Sequence, residues 1–454
     1  MNLSSNIKAL IKLFKDNGFQ LYLVGGCVRD ILMNIEPNDY DFTTNARPDQ
    51  MKKLESSFKI IPTGEKYGTI TFLINKEAFE VTTFRNDFDY DDSRRPTIVK
   101  FSNNLNDDLK RRDFTINSIA YDTEKDIYID PFNGANDIKS KIIRTVGDPK
   151  ERFNEDYLRI IRGYRFSYVY NFKIEENTRI VMRDMIENIN QISNERIQSE
   201  LTRIFSCDNY DNLESISILL FELFPILKEC NICEQNNPFH YTDVYHHSLD
   251  AIKHLKKFDL DKDGLLVCSL ALLLHDVGKV KTKSTNGRID HFYNHSNASA
   301  EYAENWLSMY CFKNTIKNQI VFLVRYHDLH LDESKDSSLY KYLNKGGLDL
   351  MMLLVIVQKC DRMAQNLDSN ISVEVIDNQI GRIISIHDKY MINERIELNG
   401  KLLKEWGYNP GIIYKRILTD VSNKIIDGEL LNNEEQIKSY VFDRYSGNNW
   451  YSLV

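Results

Sequence analysis

Two aspartates two residues apart, Asp39 and Asp41 in Asn38-Asp-Tyr-Asp-Phe42, give the strongest chemical signal in this chain. On a strand such residues face one side, roughly 7 Å apart, a spacing that suits hard divalent cations bridged by phosphate oxygens. That is the arrangement behind two-metal phosphoryl or nucleotidyl transfer. Alone, the pair would ordinarily be a solvated turn. Here it follows Gly25-Gly26-Cys-Val-Arg29-Asp30 by nine residues. A glycine pair running into a helix start lets backbone N–H groups approach a polyanion, and Arg29 adds a guanidinium suited to phosphate. Farther on, Arg111-Arg112-Asp-Phe-Thr-Ile-Asn117 brings two more guanidinium groups, the positive charge a triphosphate needs beside its metals. In Glu155-Asp156-Tyr-Leu-Arg159-Ile-Ile-Arg162-Gly-Tyr-Arg165, three-residue steps along one helix predict a drifting stripe of Asp156, Arg159, Arg162 and Arg165. A carboxylate beside a guanidinium matches the donor and acceptor edge of a nucleobase, and the other arginines can meet phosphates. A solvated face with an i,i+3 ion pair accounts for the same spacing.

Imidazole chemistry is confined to the second half. All ten histidines lie between His240 and His387, so catalysis in the first half must run on carboxylates and basic residues. Within the second half, Tyr245-His-His247-Ser-Leu249 precedes Leu273-Leu-His275-Asp276-Val-Gly-Lys279, and Asp361 follows in Lys-Cys-Asp-Arg. Adjacent His-Asp with a distant His and a distant Asp offers two nitrogen and two oxygen ligands to a divalent metal.

These residues need elements to hold them. The pattern predicts a helix over Asn6–Asn17, a strand over Gln20–Val24, and a hairpin of Thr69–Ile74 with Ala78–Phe84. From about Asp148 the chain reads as helical, and Asn236-Asn-Pro238 marks a boundary before the histidine-rich part. The fold class is therefore α+β, a mixed-sheet head followed by all-helical domains. Expected boundaries are 1–145, 146–235, 236–366 and 367–454.

With 454 residues, 42% hydrophobic and 27% charged, the chain is globular and long enough for three or four domains. A net charge of −8 excludes a generally basic nucleic-acid-binding surface. Locally, Arg94 to Arg165 holds 15 basic and 12 acidic residues, so an RNA contact would read shape and backbone from a modest patch. Seven cysteines at irregular spacing form no disulfide framework, and Cys230-Asn-Ile-Cys233 reads as unreacted thiols. No apolar run reaches the roughly 20 residues of a membrane span, and the expected location is the cytoplasm.

Taken in order, Gly-Gly-Cys-Val-Arg-Asp, Asp39-Tyr-Asp41, Arg-Arg-Asp-Phe-Thr-Ile-Asn and Glu-Asp-Tyr-Leu-Arg resemble the class II CCA-adding tRNA nucleotidyltransferases of the polymerase β superfamily. The likeness is close over 20–205 and weaker at Ile396–Gly400 and Ile426–Asn432. It implies a polymerase-β-like head, a helical neck and a tRNA-binding tail. Such an enzyme adds CMP, CMP and AMP to the tRNA 3′ end without a template, using CTP and ATP, with no DNA or membrane partner. By this resemblance Asp39 and Asp41 hold two Mg²⁺ ions, and Gly26, Arg29 and Arg112 hold the triphosphate. Asp156 and Arg159, oriented by Glu155, read the base, and Arg162 and Arg165 complete the nucleotide site. Glu80 is a candidate third carboxylate. Phe84 to Asp113 keeps the full-length connecting segment, including Asp89–Arg95, that CC-only enzymes shorten. Ile61–Thr69 lacks the basic, phenylalanine-containing signature of bacterial poly(A) polymerases. An enzyme adding A alone fits the same motifs. Asn34 stands where the family usually has glycine and can adopt the same left-handed backbone, and Ser118 replaces an alanine.

The histidine motifs resemble the HD metal-dependent phosphohydrolase superfamily. That likeness implies His247, His275, Asp276 and Asp361 as ligands of a further divalent metal, with His295 and His327 extending the site to a second metal or to phosphate. An alternative reading makes this hydrolase the main activity and the head an accessory nucleotidyltransferase.

Overall fold

The computed structural model describes residues 3–54, 58–91, 95–365, 373–393 and 395–445. They form two compact units, one of Met1–Ile204 with Asp211–Phe224 and one of Phe205–Tyr210 with Pro225–Val454.

The first unit opens with α1 (Ser5–Asp16), β1 (Leu21–Val24) and α2 (Gly26–Leu32). Then come β2 (Asp41–Thr44), α3 (Pro48–Lys52), β3 (Lys59–Gly64), β4 (Thr69–Ile74) and β5 (Glu77–Thr83). A hairpin of β6 (Arg85–Asp91) and β7 (Arg95–Phe101) leads into α4 (Leu105–Lys110), β8 (Ala120–Asp122), β9 (Ile127–Ile129) and α5 (Gly134–Ser140). Within the expected connecting segment, Asp92, Ser93 and Arg94 lie outside the described residues.

Seven strands make one mixed sheet in the order β3-β4-β5-β2-β1-β8-β9, with β2 and β5 parallel and the other neighbours antiparallel. Every residue of β1 is buried, whereas β4 alternates and puts Ile70, Phe72 and Ile74 into the core. Along α1, Ile7, Leu10 and Phe14 recur at helical spacing on one buried face, and Phe14 meets Phe72 edge-on at 5.4 Å. Burying such side chains contributes about 1.5–3 kcal/mol each. The glycine substitute Asn34 has φ 58°, in the left-handed region.

The neck follows as β10 (Ile142–Ile143), α6 (Pro149–Glu155), α7 (Leu158–Tyr170), β11 (Lys173–Ile174), α8 (Glu176–Asp184), α9 (Asn194–Phe205) and α10 (Ser217–Leu223). Asp148 caps α6 by accepting the Glu151 N–H at 2.9 Å, with Pro149 in the first turn.

Among its described residues the second unit is helical apart from one hairpin, β12 (Ser284–Asn286) with β13 (Ile289–His291). Its helices begin with α11 (Ile226–Cys230), α12 (Val244–Lys253), α13 (Lys262–Leu274), α14 (Lys279–Thr282), α15 (His295–Met309) and α16 (Asn314–Tyr326). They continue through α17 (Asp336–Met363), α18 (Val373–His387), α19 (Gly400–Glu405), α20 (Ile412–Ile426) and α21 (Glu434–Tyr445). From Gly264 to Leu274 every residue of α13 is buried, so it runs through the core and ends at His275. The last three helices have a core of their own around Leu403, Ile417, Val421, Ile437 and Val441. Among the described residues, no helix is long and apolar enough to cross a membrane.

Candidate functional site

Asp41 opens β2, and the parallel register sets it opposite Glu80 of β5, so their Cβ atoms leave the same face of the sheet. Asp39 precedes the strand, and both aspartates are exposed. The expected two-residue strand repeat therefore does not include Asp39. The Asp41 carboxyl is raised from the usual range by desolvation among its neighbours and by the charge of Asp39, with Arg112 pulling the other way. A group that resists carrying its charge next to a second carboxylate and outside a covering core is suited to a cation, and these hard oxygen donors fit Mg²⁺.

Arg112 is held between Gly25 and Asp108. Gly25 has φ +80°, a left-handed backbone that calls for glycine, and a Cβ there would lie 2.9 Å from the end of the Arg112 side chain at Nη1. Arg112 Nη2 donates to Asp108 at 3.2 Å, and Arg111 donates twice to the same carboxylate at 2.9 and 2.8 Å. Asp108 is fully buried and also accepts from Thr43 on β2 at 3.2 Å. Burial opposes its charge, but Arg111 and Arg112 hold its carboxyl below the usual range. Thus the strand carrying Asp41 and the arginine facing it share one buried anchor.

Arg29 is placed differently from a free phosphate ligand. Its guanidinium donates to Asp30 at 2.9 and 2.7 Å and to Asn117 at 2.7 Å, and lies 4.7 Å from the Tyr170 ring centre. It links α2 to the Arg-Arg-Asp-Phe-Thr-Ile-Asn segment. Asp113 of that segment accepts from Asn117 at 3.0 Å and from Arg162 at 2.7 Å. Burial disfavours its charge, yet Arg162, Asn117 and Arg159 hold the Asp113 carboxyl well below the ordinary range.

The expected stripe divides. α6 ends at Glu155 and α7 starts at Leu158, leaving Asp156 in extended backbone between them (φ −159°). The reason is local: its Oδ1 accepts the Leu158 N–H at 3.1 Å, so the side chain caps the next helix instead of continuing the last. Asp156 Oδ2 accepts from Arg196 at 2.7 Å. Glu155 binds Arg152 at 2.8 Å and also Arg159, whose other nitrogen donates to the Arg111 carbonyl at 3.0 Å. Glu155 therefore orients Arg159, while Asp156 is oriented by Arg196. Arg162 faces Asp113, and Arg165 pairs with buried Glu200 at 2.5 Å. Asp108, Arg196 and Glu200 escaped the motif reading. For Asp108 a signal was available, its three- and four-residue spacing from Arg111 and Arg112.

In the second unit the histidines converge. His247 Nε2 lies 2.9 Å from Asp361 and 3.7 Å from Asp276, and His275 Nε2 lies 3.2 Å from Asp276 and 3.5 Å from Asp361. His246, by contrast, turns outward to Asp243. His295 and His327 reach Asp276 at 3.2 and 3.6 Å and each other at 3.1 Å. The Nδ1 atoms of His275, His295 and His327 face the carbonyls of Leu272, Phe292 and Val324 at 2.7, 2.9 and 2.7 Å. Each Nδ1 thus donates, which leaves the Nε2 lone pairs aimed into the cluster. His275 Nε2 and Asp276 Oδ1 are buried with no hydrogen bond of good geometry. Inward lone pairs beside two buried carboxylates fit a divalent metal. Burial works against a charged His275, but Asp276 and Asp361 raise it to about 10, another mark of a place that favours positive charge.

Gly278 lets the turn after Asp276 press on α15, since a Cβ would lie 2.3 Å from the His295 carbonyl oxygen. Two groups were missed here. Lys279 Nζ meets Asp276 at 2.6 Å, Gln235 at 2.8 Å and His240 Nε2 at 3.4 Å, and His240 packs on His247 with ring centres 4.7 Å apart. A cavity of ≈ 390 Å³ opens on the cluster and is walled by Phe239, Phe292, Tyr293 and Arg362.

Family profiles match three stretches: the Poly A polymerase head domain over 21–144, the probable RNA and SrmB-binding site of polymerase A over 171–216, and tRNA nucleotidyltransferase domain 2 over 288–441. The CCA-adding enzyme of Staphylococcus saprophyticus is 32% identical over 453 residues, covering 98% of this chain and 99% of its own. The chain belongs to the CCA-adding enzyme family. The CCA-adding enzyme of Streptococcus thermophilus is also 32% identical, over 95% of each chain. That of Lactobacillus helveticus is 46% identical over 200 residues, 44% of this chain and 49% of its own. Among solved structures, the Bacillus stearothermophilus CCA-adding enzyme in complex with CTP superposes with a TM-score of 0.70, 23% identity and 99% coverage of both chains. A Thermotoga maritima CCA-adding enzyme complexed with tRNA superposes at 0.57, with 20% identity over 97% of this chain and 96% of that one. As a member of this family the chain is a tRNA nucleotidyltransferase, with the α+β architecture expected of it, and the family leads to an expectation of divalent-metal use.

Proposed function

We propose that this CCA-adding family member builds the complete CCA end, taking CMP twice from CTP and AMP once from ATP, in its first unit. The observation that carries the reading is Asp41 at the start of β2, in register with Glu80 and facing the anchored Arg112. Asp39 and Asp41 would hold two Mg²⁺ ions, which would supply Lewis-acid chemistry at the primer 3′-hydroxyl and charge neutralisation at the triphosphate. Arg112 and the backbone at Gly25 and Gly26 hold the triphosphate, while Arg29, Arg162 and Arg165 lock the surrounding frame. Asp156 accepts from the exocyclic amino group that cytosine and adenine share, and Arg159 donates to the adjacent ring nitrogen. Uracil and guanine present a carbonyl and an N–H at those places and would be refused. The relatives solved with CTP and with tRNA support these partners. Residues 1–145 form the nucleotidyltransferase head, 146–235 the nucleotide-selecting neck, and 367–454 the tRNA-binding tail.

The test is extension, at single-nucleotide resolution, of one tRNA ending before CCA, after C and after CC, with Mg²⁺ and CTP, ATP or both. Completion of all three is the expected result. Extension of the CC-ended tRNA alone would make this an A-adding enzyme, and no extension would overturn the reading.

Residues 236–366 carry a second function, a metal-dependent phosphohydrolase. The specific support is the convergence of His247, His275, Asp276 and Asp361, with His295 and His327 alongside. These residues would hold a divalent metal, which would supply Lewis-acid polarisation of a phosphoester. Lys279, His240 and the cavity walls then position the ester. Release of phosphate from p-nitrophenyl phosphate, dependent on added divalent metal and lost in His275→Ala, is the expected outcome. Release that persists in that variant would count against the site.

A further inference from the structure

Asp156 does not fix itself. It sits at the break between α6 and α7, where one carboxylate oxygen accepts the Leu158 N–H at 3.1 Å and the other accepts from Arg196 at 2.7 Å. Arg196 lies in the first turn of α9. One turn later on the same face, Glu200 is buried and accepts from Arg165 at 2.5 Å and from Arg203 at 3.2 Å. A single helix therefore offers a guanidinium to Asp156 and a carboxylate to Arg165, the charge complement of the two ends of the divided stripe. No motif pointed to Arg196.

We propose that Arg196 is a positioning residue for base selection: it fixes the plane of the Asp156 carboxylate and thereby sets discrimination of cytosine and adenine against uracil and guanine. This rests on the assignment of Asp156 as base reader made above. The second torsion of an aspartate is broad and weakly restrained, and the Leu158 N–H secures only one oxygen. With Arg196 in place the plane is set, so an exocyclic amino group finds an acceptor while a carbonyl oxygen meets fixed negative charge. Without Arg196 the carboxylate can turn away, which weakens the bond to the right base and also relieves the clash with the wrong one. A site built to hydrogen-bond its substrate rejects analogues through unpaired groups only while those groups are held. The loss should therefore appear as reduced selectivity and not only as a slower enzyme.

The test uses the full-length protein and measures kcat/KM for CTP and UTP on tRNA ending before CCA, and for ATP and GTP on the CC-ended tRNA. Arg196→Ala, Arg196→Lys and Asp156→Ala are compared, with thermal melting as a control. Losing a charged hydrogen bond predicts a fall of about ten- to a hundredfold for CTP and ATP in Arg196→Ala, with a smaller fall for UTP and GTP. The CTP:UTP and ATP:GTP ratios should therefore narrow by about tenfold at little cost in melting temperature, and Arg196→Lys should recover part of them. Ratios unchanged in Arg196→Ala would overturn the proposal. If that variant does not fold, ratios in Arg196→Lys equal to those of the unmodified protein, or narrowed, decide in the same way against or for it. Loss of selectivity in Asp156→Ala but not in the Arg196 variants defeats this proposal alone. Selectivity that survives in Asp156→Ala defeats the base-reading assignment beneath it.

Discussion

The two sites solve the same problem, concentrated negative charge, in opposite ways. In the first unit the carboxylates of Asp39 and Asp41 stay exposed, and the burial falls on the residues behind them: Asp108, Asp113 and Glu200, each matched by arginines. In the second unit the acidic groups themselves, Asp276 and Asp361, are buried, and four imidazoles and one lysine surround them. An open pair of carboxylates backed by a rigid charged frame suits large substrates that bring their own phosphates and cations. A closed cluster of nitrogen donors suits a resident metal and a small ester group reaching it through the cavity.

The sharpest way to break this comparison is to disable one site and assay both. Each is built wholly from residues of one unit, so their activities should separate. Asp39→Ala is expected to lower nucleotide addition by about a thousandfold or more, since metal-assisted charge stabilisation is worth several kcal/mol, and to leave phosphate release unchanged. His275→Ala should do the reverse. If Asp39→Ala retained near-normal transfer, the metal assignment in the head would be wrong.

Metal retention is the next test. Imidazole nitrogens favour transition metals, and carboxylates alone bind Mg²⁺ loosely. After gel filtration in metal-free buffer, elemental analysis should find a transition metal in the unmodified protein and in Asp39→Ala, but little in His247→Ala. Equal metal in His247→Ala would remove the distinction between an open and a closed site.

How far the sequence anticipates these sites depends on the distance over which a signal acts. Short elements were legible, since α1 and the β4–β5 hairpin follow helical and alternating burial written in the residues themselves, and β1 is a short, fully buried apolar run. So was the left-handed backbone at Asn34. The break at Asp156 was not, because the glutamate-to-arginine spacing there is also good helix spacing. What decides it is one side-chain bond to the Leu158 N–H. Arg196 and Glu200 lie some forty and thirty-five residues from their partners and belong to no local pattern, so only the packing of α9 reveals them. His240 could be counted among the histidines, but its place beside His247 comes from the fold of the loop before α12.

The frame behind the open site is tested by Asp113→Asn. Removing one partner of a buried pair leaves Arg162 uncompensated, and a cost of about 3 kcal/mol is expected in urea unfolding of the head at neutral pH. The Asp113 carboxyl is depressed in the folded protein, so its contribution is complete above the unfolded value of about 3.9 and declines as pH falls through the folded one. The gap between Asp113→Asn and the unmodified protein should therefore be full at pH 6 and shrink below about pH 4. A gap that stayed constant down to pH 3 would mean that packing, and not charge, holds this joint.

The smallest expected effect concerns the same frame one layer deeper. Ser118, in place of the alanine usual in the family, is fully buried and donates its hydroxyl to the Leu109 carbonyl at 2.5 Å. Leu109 follows Asp108 on α4, so this bond ties the end of the helix that anchors Arg111 and Arg112. Ser118→Ala removes the donor without opening a large cavity and should cost about 1 kcal/mol of stability. Nucleotide addition should stay within about twofold, because Asp108 itself still holds Arg112. Should the rate fall tenfold while stability hardly changes, the anchor would be less rigid than the paired arginines imply. The open site would then depend on precise support from below, much as the closed one depends on its ring of imidazoles.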